Sequence, residues 1–194
     1  MSALETSTDT TSVRYPTFTT DLNSPVLTTS RLRLRRFTVD DAAFVLRLLN
    51  EPSFHEFIGD RGVRTLDDAA HYLEQGPIAS CTQRGHGLLR VSLPDDTPIG
   101  MCGLLRRDGL EFPDLGFALV PEHWGKAYTL EASRAVMAHG RETLGFGTLL
   151  AITAPHNARS MHVLEKLGFS FVDSRPLMPG TPSVNVFRSD NMPR

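Results

Sequence analysis

The chain has 194 residues, 40% hydrophobic and 22% charged, with 20 Lys and Arg against 22 Asp and Glu for a net charge of −2. That length suits one domain, or one domain with a tail. The near-neutral balance argues against a broad nucleic-acid surface or a polybasic membrane anchor, and no apolar run approaches the roughly 20 residues that cross a bilayer. The N-terminus lacks a basic flank followed by an apolar stretch, the pattern of a secretory signal. Cys81 and Cys102 are too few for a disulfide scaffold, so a reduced, cytoplasmic compartment is the expectation.

Residues 1–25 are rich in Ser and Thr with few large apolar groups, and read as a mobile polar tail. From Val26 onward a single domain is expected. Arg31-Leu32-Arg33-Leu34-Arg35 alternates with period two, which predicts a half-buried strand with its arginines on the wet face. Thr38 with Asp41 is a capping box, and Ala42, Val45, Leu46 and Leu49 follow at helical spacing. Pro52 is expected to end that helix. Ser53 to Ile58 leads into the polar loop Gly59-Asp60-Arg61-Gly62. Thr65 with Asp68 repeats the capping pattern before a second helix, which Gly76-Pro77 should end or kink, with Ile78 to Thr82 as a possible extension.

The period then changes. Leu88–Leu93 and Ile99–Arg106 read as strands joined by the turn at residues 94–98, and Leu115–Val120 as a third strand closed by Pro121. Helices over Thr129 to about Leu144 and over Ala158–Leu167 flank a strand at Leu149–Thr153. Phe169–Asp173 and Val184–Arg188 close the chain as strands. The whole reads as a mixed α/β domain without internal repeats.

Two strand-turn-helix junctions carry the chemistry. In Pro121-Glu122-His123-Trp124-Gly125-Lys126-Ala127-Tyr128-Thr129, a Gly-containing turn opens a helix, whose unpaired N–H groups and partial positive charge suit an anion. Lys126 would add a mobile cation. There is no Walker A pattern, and such a turn by itself is more often structural. In Ala154-Pro155-His156-Asn157-Ala158-Arg159-Ser160, Asn157 is a good helix N-cap. No His-Glu-x-x-His and no zinc-spaced Cys/His pairs occur, so no metal is expected. Trp124 is read as packing under the turn, and Cys102 as a small core residue.

The stretches Pro-Glu-His-Trp-Gly-Lys-Ala-Tyr (121–128) and Asn-Ala-Arg-Ser-x-x-Val-Leu-Glu-Lys-Leu-Gly-Phe (157–169) together resemble the two core motifs of the GNAT superfamily of acyl-CoA-dependent N-acyltransferases. The Asn-x-x-Ser form, with Thr-x-Arg-Leu-x-Leu-Arg at residues 29–35, resembles the branch that acetylates amino-termini of ribosomal proteins. The resemblance covers roughly residues 26–190. It implies a mostly antiparallel sheet with a V-shaped splay between two central strands, flanked by helices. It also implies acetyl-CoA as acyl donor and a primary amine as acceptor: a protein N-terminus, a polyamine or another small amine. Neither nucleic acid nor membrane is implied as a partner, and monomer and homodimer both remain open.

On this resemblance the pantetheine arm would pair with Gly116–Val120, at Phe117, Ala118 and Leu119. The pyrophosphate would sit on the amides of Trp124, Gly125, Lys126, Ala127, Tyr128 and Thr129. Asn157 would bond the pantetheine, and Ser160 would return a proton to the leaving thiolate. An N–H near Leu119 would stabilise the developing oxyanion. Attack requires a neutral amine, so a base must take its proton; Glu111, Asp114 and Glu122 are the candidates. Glu131 is expected to be structural, complementing the helix dipole. Phe54, His55, Phe57 and residues 59–62 would line the acceptor pocket. His123, His156 and His162 flank the motifs.

The chain departs from the family pattern at Ala127, where Gly is usual, at Thr129 and Leu130, and at Leu164, where many relatives carry a Tyr acid. Ala127 is acceptable there if its φ is helical. These departures leave an alternative expectation, a non-catalytic or weakened acyl-CoA-binding module.

Overall fold

The computed structural model of the protein describes residues 24–190; the expected tail lies, but for its last two residues, outside the described residues. In chain order the strands are β1 (Leu27–Thr28), β2 (Arg33–Arg35), β3 (Leu88–Ser92), β4 (Pro98–Leu105), β5 (Asp114–Leu119), β6 (Thr148–Thr153), β7 (Ser170–Pro176) and β8 (Ser183–Asp190). The helices are α1 (Ala42–Leu49), α2 (Pro52–Phe57), α3 (Leu66–Leu73), α4 (Ala79–Arg84), α5 (Tyr128–Glu142) and α6 (Ala158–Lys166).

Local chemistry accounts for most boundaries. The Asp41 carboxylate accepts from the Thr38 N–H at 3.0 Å, and the Asp68 carboxylate from the Thr65 N–H at 2.9 Å, so both expected capping boxes start their helices. Pro52 both follows the end of α1 and occupies the first turn of α2, where its missing N–H costs nothing. The segment from Ser53, expected only as a connector, is therefore helical. Gly76-Pro77 does not end the second helix. Pro77 has no N–H to give, and the helix widens into a π turn over Glu74–Ile78 before α4. Gly85, at φ +75°, terminates it.

The arginines of the opening strand do not share one wet face. Leu32 and Leu34 are buried as expected and Arg33 is exposed. Arg35, however, turns inward to make a bidentate pair with Asp41, at 2.8 and 2.7 Å. Arg90 is buried beside it, 3.5 Å from Asp41 and 3.0 Å from Asp96. The carboxylates compensate guanidiniums that burial would otherwise penalise.

The eight strands form one sheet in the order β1-β2-β3-β4-β5-β6-β8-β7. Neighbours are antiparallel except β5 and β6, which run parallel and pair in register at Asp114 and Leu150. The Leu150 N–H also donates to the Pro113 carbonyl at 2.9 Å. β4 holds β5 along its whole length, and β8 likewise holds β6. Beyond the fork at Asp114 the two central strands splay apart, as the resemblance implied. One face of the sheet packs Val136, Met137 and Leu164 of α5 and α6 against Leu89, Val91, Leu104 and Leu115. The other packs Val45, Leu48 and Leu73 of α1 and α3 against Met101, Leu88 and Ala118.

Candidate active site

The splay opens into a cleft of about 910 Å³ that is continuous from α6 across β5 to α2 and α3. Its first wall is the start of α5. Ala127 caps this helix at φ +61°, ψ +13°, in the left-handed region, so the condition of a helical φ there is not met. A non-glycine residue held this way costs on the order of 1 kcal/mol. The N–H groups of Ala127, Tyr128, Thr129 and Leu130 have no backbone acceptor among the described residues, which leaves four donors at the positive end of a 15-residue helix. Trp124 differs from expectation in one respect: its N–H is already given to the Pro121 carbonyl at 3.1 Å. Its indole donates to the Leu119 carbonyl at 2.7 Å, so the ring braces the turn from beneath. The Arg159 guanidinium lies 5.1 Å from that ring's centroid. Gly125 and Thr129 line the cleft, whereas Lys126 is exposed.

The turn is held from outside. Glu131 accepts from the Thr29 hydroxyl at 2.6 Å, the Arg31 N–H at 3.0 Å and the Arg31 Nε at 2.7 Å. Arg31 also donates to the Lys126 carbonyl at 3.1 Å and lies 4.8 Å from the Tyr128 ring centroid. Burial pushes the Glu131 carboxyl up, but the hydrogen bonds from Thr29 and Arg31 more than offset it and leave the group below its ordinary value. Its expected structural role has a definite content: it ties the Thr-Ser-Arg segment to the helix that carries the free amides.

The second wall is the start of α6. Asn157 Oδ1 accepts from the Ser160 N–H at 3.0 Å, the expected N-cap. Asn157 and Ser160 both line the cleft, as does Leu164. Phe117, Ala118 and Leu119 of β5 line the cleft together with Ala151 to Thr153 of β6 and the Ala154 that follows it. His156 packs at a tilt against Phe57, with ring centroids 5.5 Å apart, joining the α6 turn to α2.

The floor at the fork is Asp114, fully buried. Oδ2 accepts from the Arg107 Nε at 2.8 Å, while Oδ1 has no partner among the described residues. Burial raises the Asp114 carboxyl above its ordinary value, against the downward pull of the Arg107 guanidinium. The other two candidate carboxylates lie elsewhere. Glu111 is exposed, close enough to act on Arg188, and Glu122 is ion-paired with Arg47; neither lines the cleft. Phe54, Phe57 and Arg61 do line it. Sequence reasoning passed over Arg107 and Tyr72, which also line it. Arg107 follows β4 within a charged run that carries no spacing signal, and Tyr72 sits in an amphipathic helix where it reads as core.

The chain belongs to the GNAT family of acetyltransferases: residues 31–170 match the family described as acetyltransferase (GNAT) domain. Membership makes it an acyl-CoA-dependent N-acyltransferase. YoaA of Bacillus subtilis, an uncharacterized N-acetyltransferase, is 25% identical over 150 residues, which cover 75% of this chain and 82% of YoaA. An acetyltransferase structure from Agrobacterium tumefaciens is 28% identical with a TM-score of 0.71, covering 85% of this chain and 94% of that one. The ribosomal-protein alpha-N-acetyltransferase RimL, solved in complex with coenzyme A, shares the fold at a TM-score of 0.73 and 14% identity, covering 86% of this chain and 97% of RimL. No helix among the described residues is long and apolar enough to cross a membrane.

Proposed function

We propose that the protein transfers the acetyl group of acetyl-CoA to a primary amine by direct attack, with Asp114 as the base. The observation that carries this reading is the buried Asp114 carboxylate at the fork of the splay, with one oxygen uncommitted and its acidity weakened by burial. The four free amides of residues 127–130 suit the diphosphate of the donor, and the CoA complex of RimL supports that choice of donor. Phe117, Ala118 and Leu119 on one side and Asn157 on the other would flank the pantetheine arm. The Asn157 oxygen is taken by its own helix, so its amide Nδ2 is the group left to donate.

An amine reaches the cleft protonated and must first lose one proton, which Asp114 Oδ1 accepts. The nitrogen lone pair then forms the C–N bond at the thioester carbonyl, whose C–S bond breaks with the electron pair leaving on sulfur. The nitrogen releases its second proton, and the thiolate takes one up. Ser160, part-exposed in the cleft, is placed to relay that proton, because the buried apolar Leu164 cannot donate. Amide plus thiol plus one proton balance the starting ammonium and thioester. No covalent enzyme intermediate is needed.

The test is release of free thiol from acetyl-CoA against a panel of amino acids, amino acid amides, polyamines and short peptides, alongside calorimetric titration of acetyl-CoA. Turnover with at least one amine is expected. Ala127, at a turn position where the resemblance implies Gly, raises one other reading, a module that binds acyl-CoA without using it. Binding of acetyl-CoA with no turnover across the panel would establish that reading in place of the first.

A further inference from the structure

The acceptor end of the cleft has a charge pattern that the transfer reaction itself does not require. Arg61 stands at the tip of the loop after α2, between Gly59 and Gly62, both at positive φ. The loop is fixed by other groups. The Asp60 carboxylate accepts from the Gly62 N–H at 2.8 Å and from Arg64 at 3.0 Å, and Asn50 donates to the Val63 carbonyl at 2.9 Å. Arg61 takes no part in this web and has no hydrogen bond or ion pair among the described residues, yet it lines the cleft.

Arg107, two residues past the end of β4, lines the same cleft. Its Nε is committed to Asp114, and its Nη2 would lie 3.7 Å from a Cβ placed on Gly116. A side chain at 116 would crowd Leu105 at 2.5 Å, so the glycine keeps this part of the strand open beneath the guanidinium. Tyr72 lines the cleft with both arginines; burial raises its hydroxyl, and the charges of Arg61 and Arg107 act to lower it. The Glu51 carboxylate also lines this end of the cleft, 3.6 Å from an Arg47 that is paired with Glu122 as well. Phe54, Phe57 and Ile58 add an apolar wall there, beside Ser53.

We propose that the acceptor is an α-amino acid, whose amine is received by Asp114 and whose carboxylate is received by Arg107 and Arg61. The inference rests on the acetyltransferase reading above and narrows its acceptor. An α-amino acid carries its ammonium and carboxylate groups on the same carbon, and Asp114 and Arg107 present the complementary pair 2.8 Å apart. Guanidinium groups bind carboxylates in forked, charge-assisted pairs. A polyamine would instead bring further positive charge against two arginines, and an internal peptide carbonyl would leave Arg61 unpaired. The apolar wall selects a hydrophobic or aromatic side chain.

The experiment compares initial rates of thiol release for the common α-amino acids, their α-carboxamides and spermidine, with acetyl-CoA binding followed by calorimetry. At least one apolar amino acid is expected to exceed its amide by tenfold or more in kcat/KM, about the factor one charge-assisted contact supplies. Arg61→Gln is expected to collapse that ratio toward one through KM, and Arg61→Lys to restore part of it. Amides or spermidine turned over as well as the amino acids would overturn the inference while leaving the acetyltransferase reading intact. So would amides and peptides turned over with no amino acid active. Absence of both acetyl-CoA binding and thiol release would remove the underlying reading and this inference with it.

Discussion

Toward α5, the cleft offers main-chain donors: the amides of Ala127 to Leu130 at a helix start, fixed by the path of the chain. Toward α2 and α3, it offers side-chain charge: Asp114 and Arg107 in contact at the fork, and Arg61 unpaired on a loop. The difference bears on what each half tolerates. Amides belong to every residue, so the donor half survives substitutions that keep the backbone in place. The acceptor half depends on individual carboxylate and guanidinium groups and is lost with one of them.

Asp114→Asn breaks the acceptor half most sharply. The amide keeps the shape and can still accept from Arg107, but it cannot take a proton from an amine. We expect kcat to fall by roughly 10²–10⁴-fold, with the KM for acetyl-CoA unchanged, in a steady-state thiol-release assay. The pH dependence carries the same information. The working form of Asp114 is ionised, and its folded pKa is raised, so kcat/KM should decline as pH falls through a value above the ordinary carboxylate range. Arg107 pulls that value down, so Arg107→Gln should move the acid limb to higher pH. An acid limb unmoved by Arg107→Gln would assign the base elsewhere.

Glu131→Gln sharpens the comparison from the other side. No amide of the donor half is touched, but the brace that holds the turn against Thr29 and Arg31 is weakened. A loss of about 1.5–3 kcal/mol is expected, the range for hydrogen bonds to a charged group, read as a lower midpoint in urea unfolding. Glu131 has a depressed folded value, so its contribution is present above its unfolded value and is lost as pH falls through the folded one. The stability gap between wild type and variant should therefore close in acid. A gap that persists there would mean that packing, not charge, holds the turn.

The two halves also differ in how far they could be read from the sequence. The helix starts announced themselves through Thr38 with Asp41, Thr65 with Asp68, and Asn157 with Ser160, because capping is a short-range matter of three residues. The turn at residues 124–129 is equally local, but only the motif resemblance marked it as a candidate phosphate site. The splay needs a parallel neighbour from 36 residues further along the chain, Leu150 beside Asp114, and no local pattern encodes it; the motif resemblance supplied it. Asp114 was one of three acidic candidates until burial separated it from Glu111 and Glu122. Arg107 and Tyr72 were missed because their part depends on which strand and helix they meet. At Pro77 and Arg35 local rules were overridden by a π turn and by the buried Asp41.

Ala127→Gly gives the smallest effect and the finest test of the donor half. Ala127 already holds φ at +61°, so glycine would take the same backbone path without the roughly 1 kcal/mol of left-handed strain. Glycine also gains freedom in the unfolded chain, which offsets about 0.4–1 kcal/mol. Net stability should therefore rise by no more than about 0.6 kcal/mol. Because the donors are amides already in position, affinity for acetyl-CoA should stay within about twofold by calorimetry. A tenfold gain, about 1.4 kcal/mol, would mean that the methyl group obstructs the diphosphate. Main-chain donors would then not be as indifferent to side chains as the contrast between the two halves requires, and the binding-module reading would gain its first direct support.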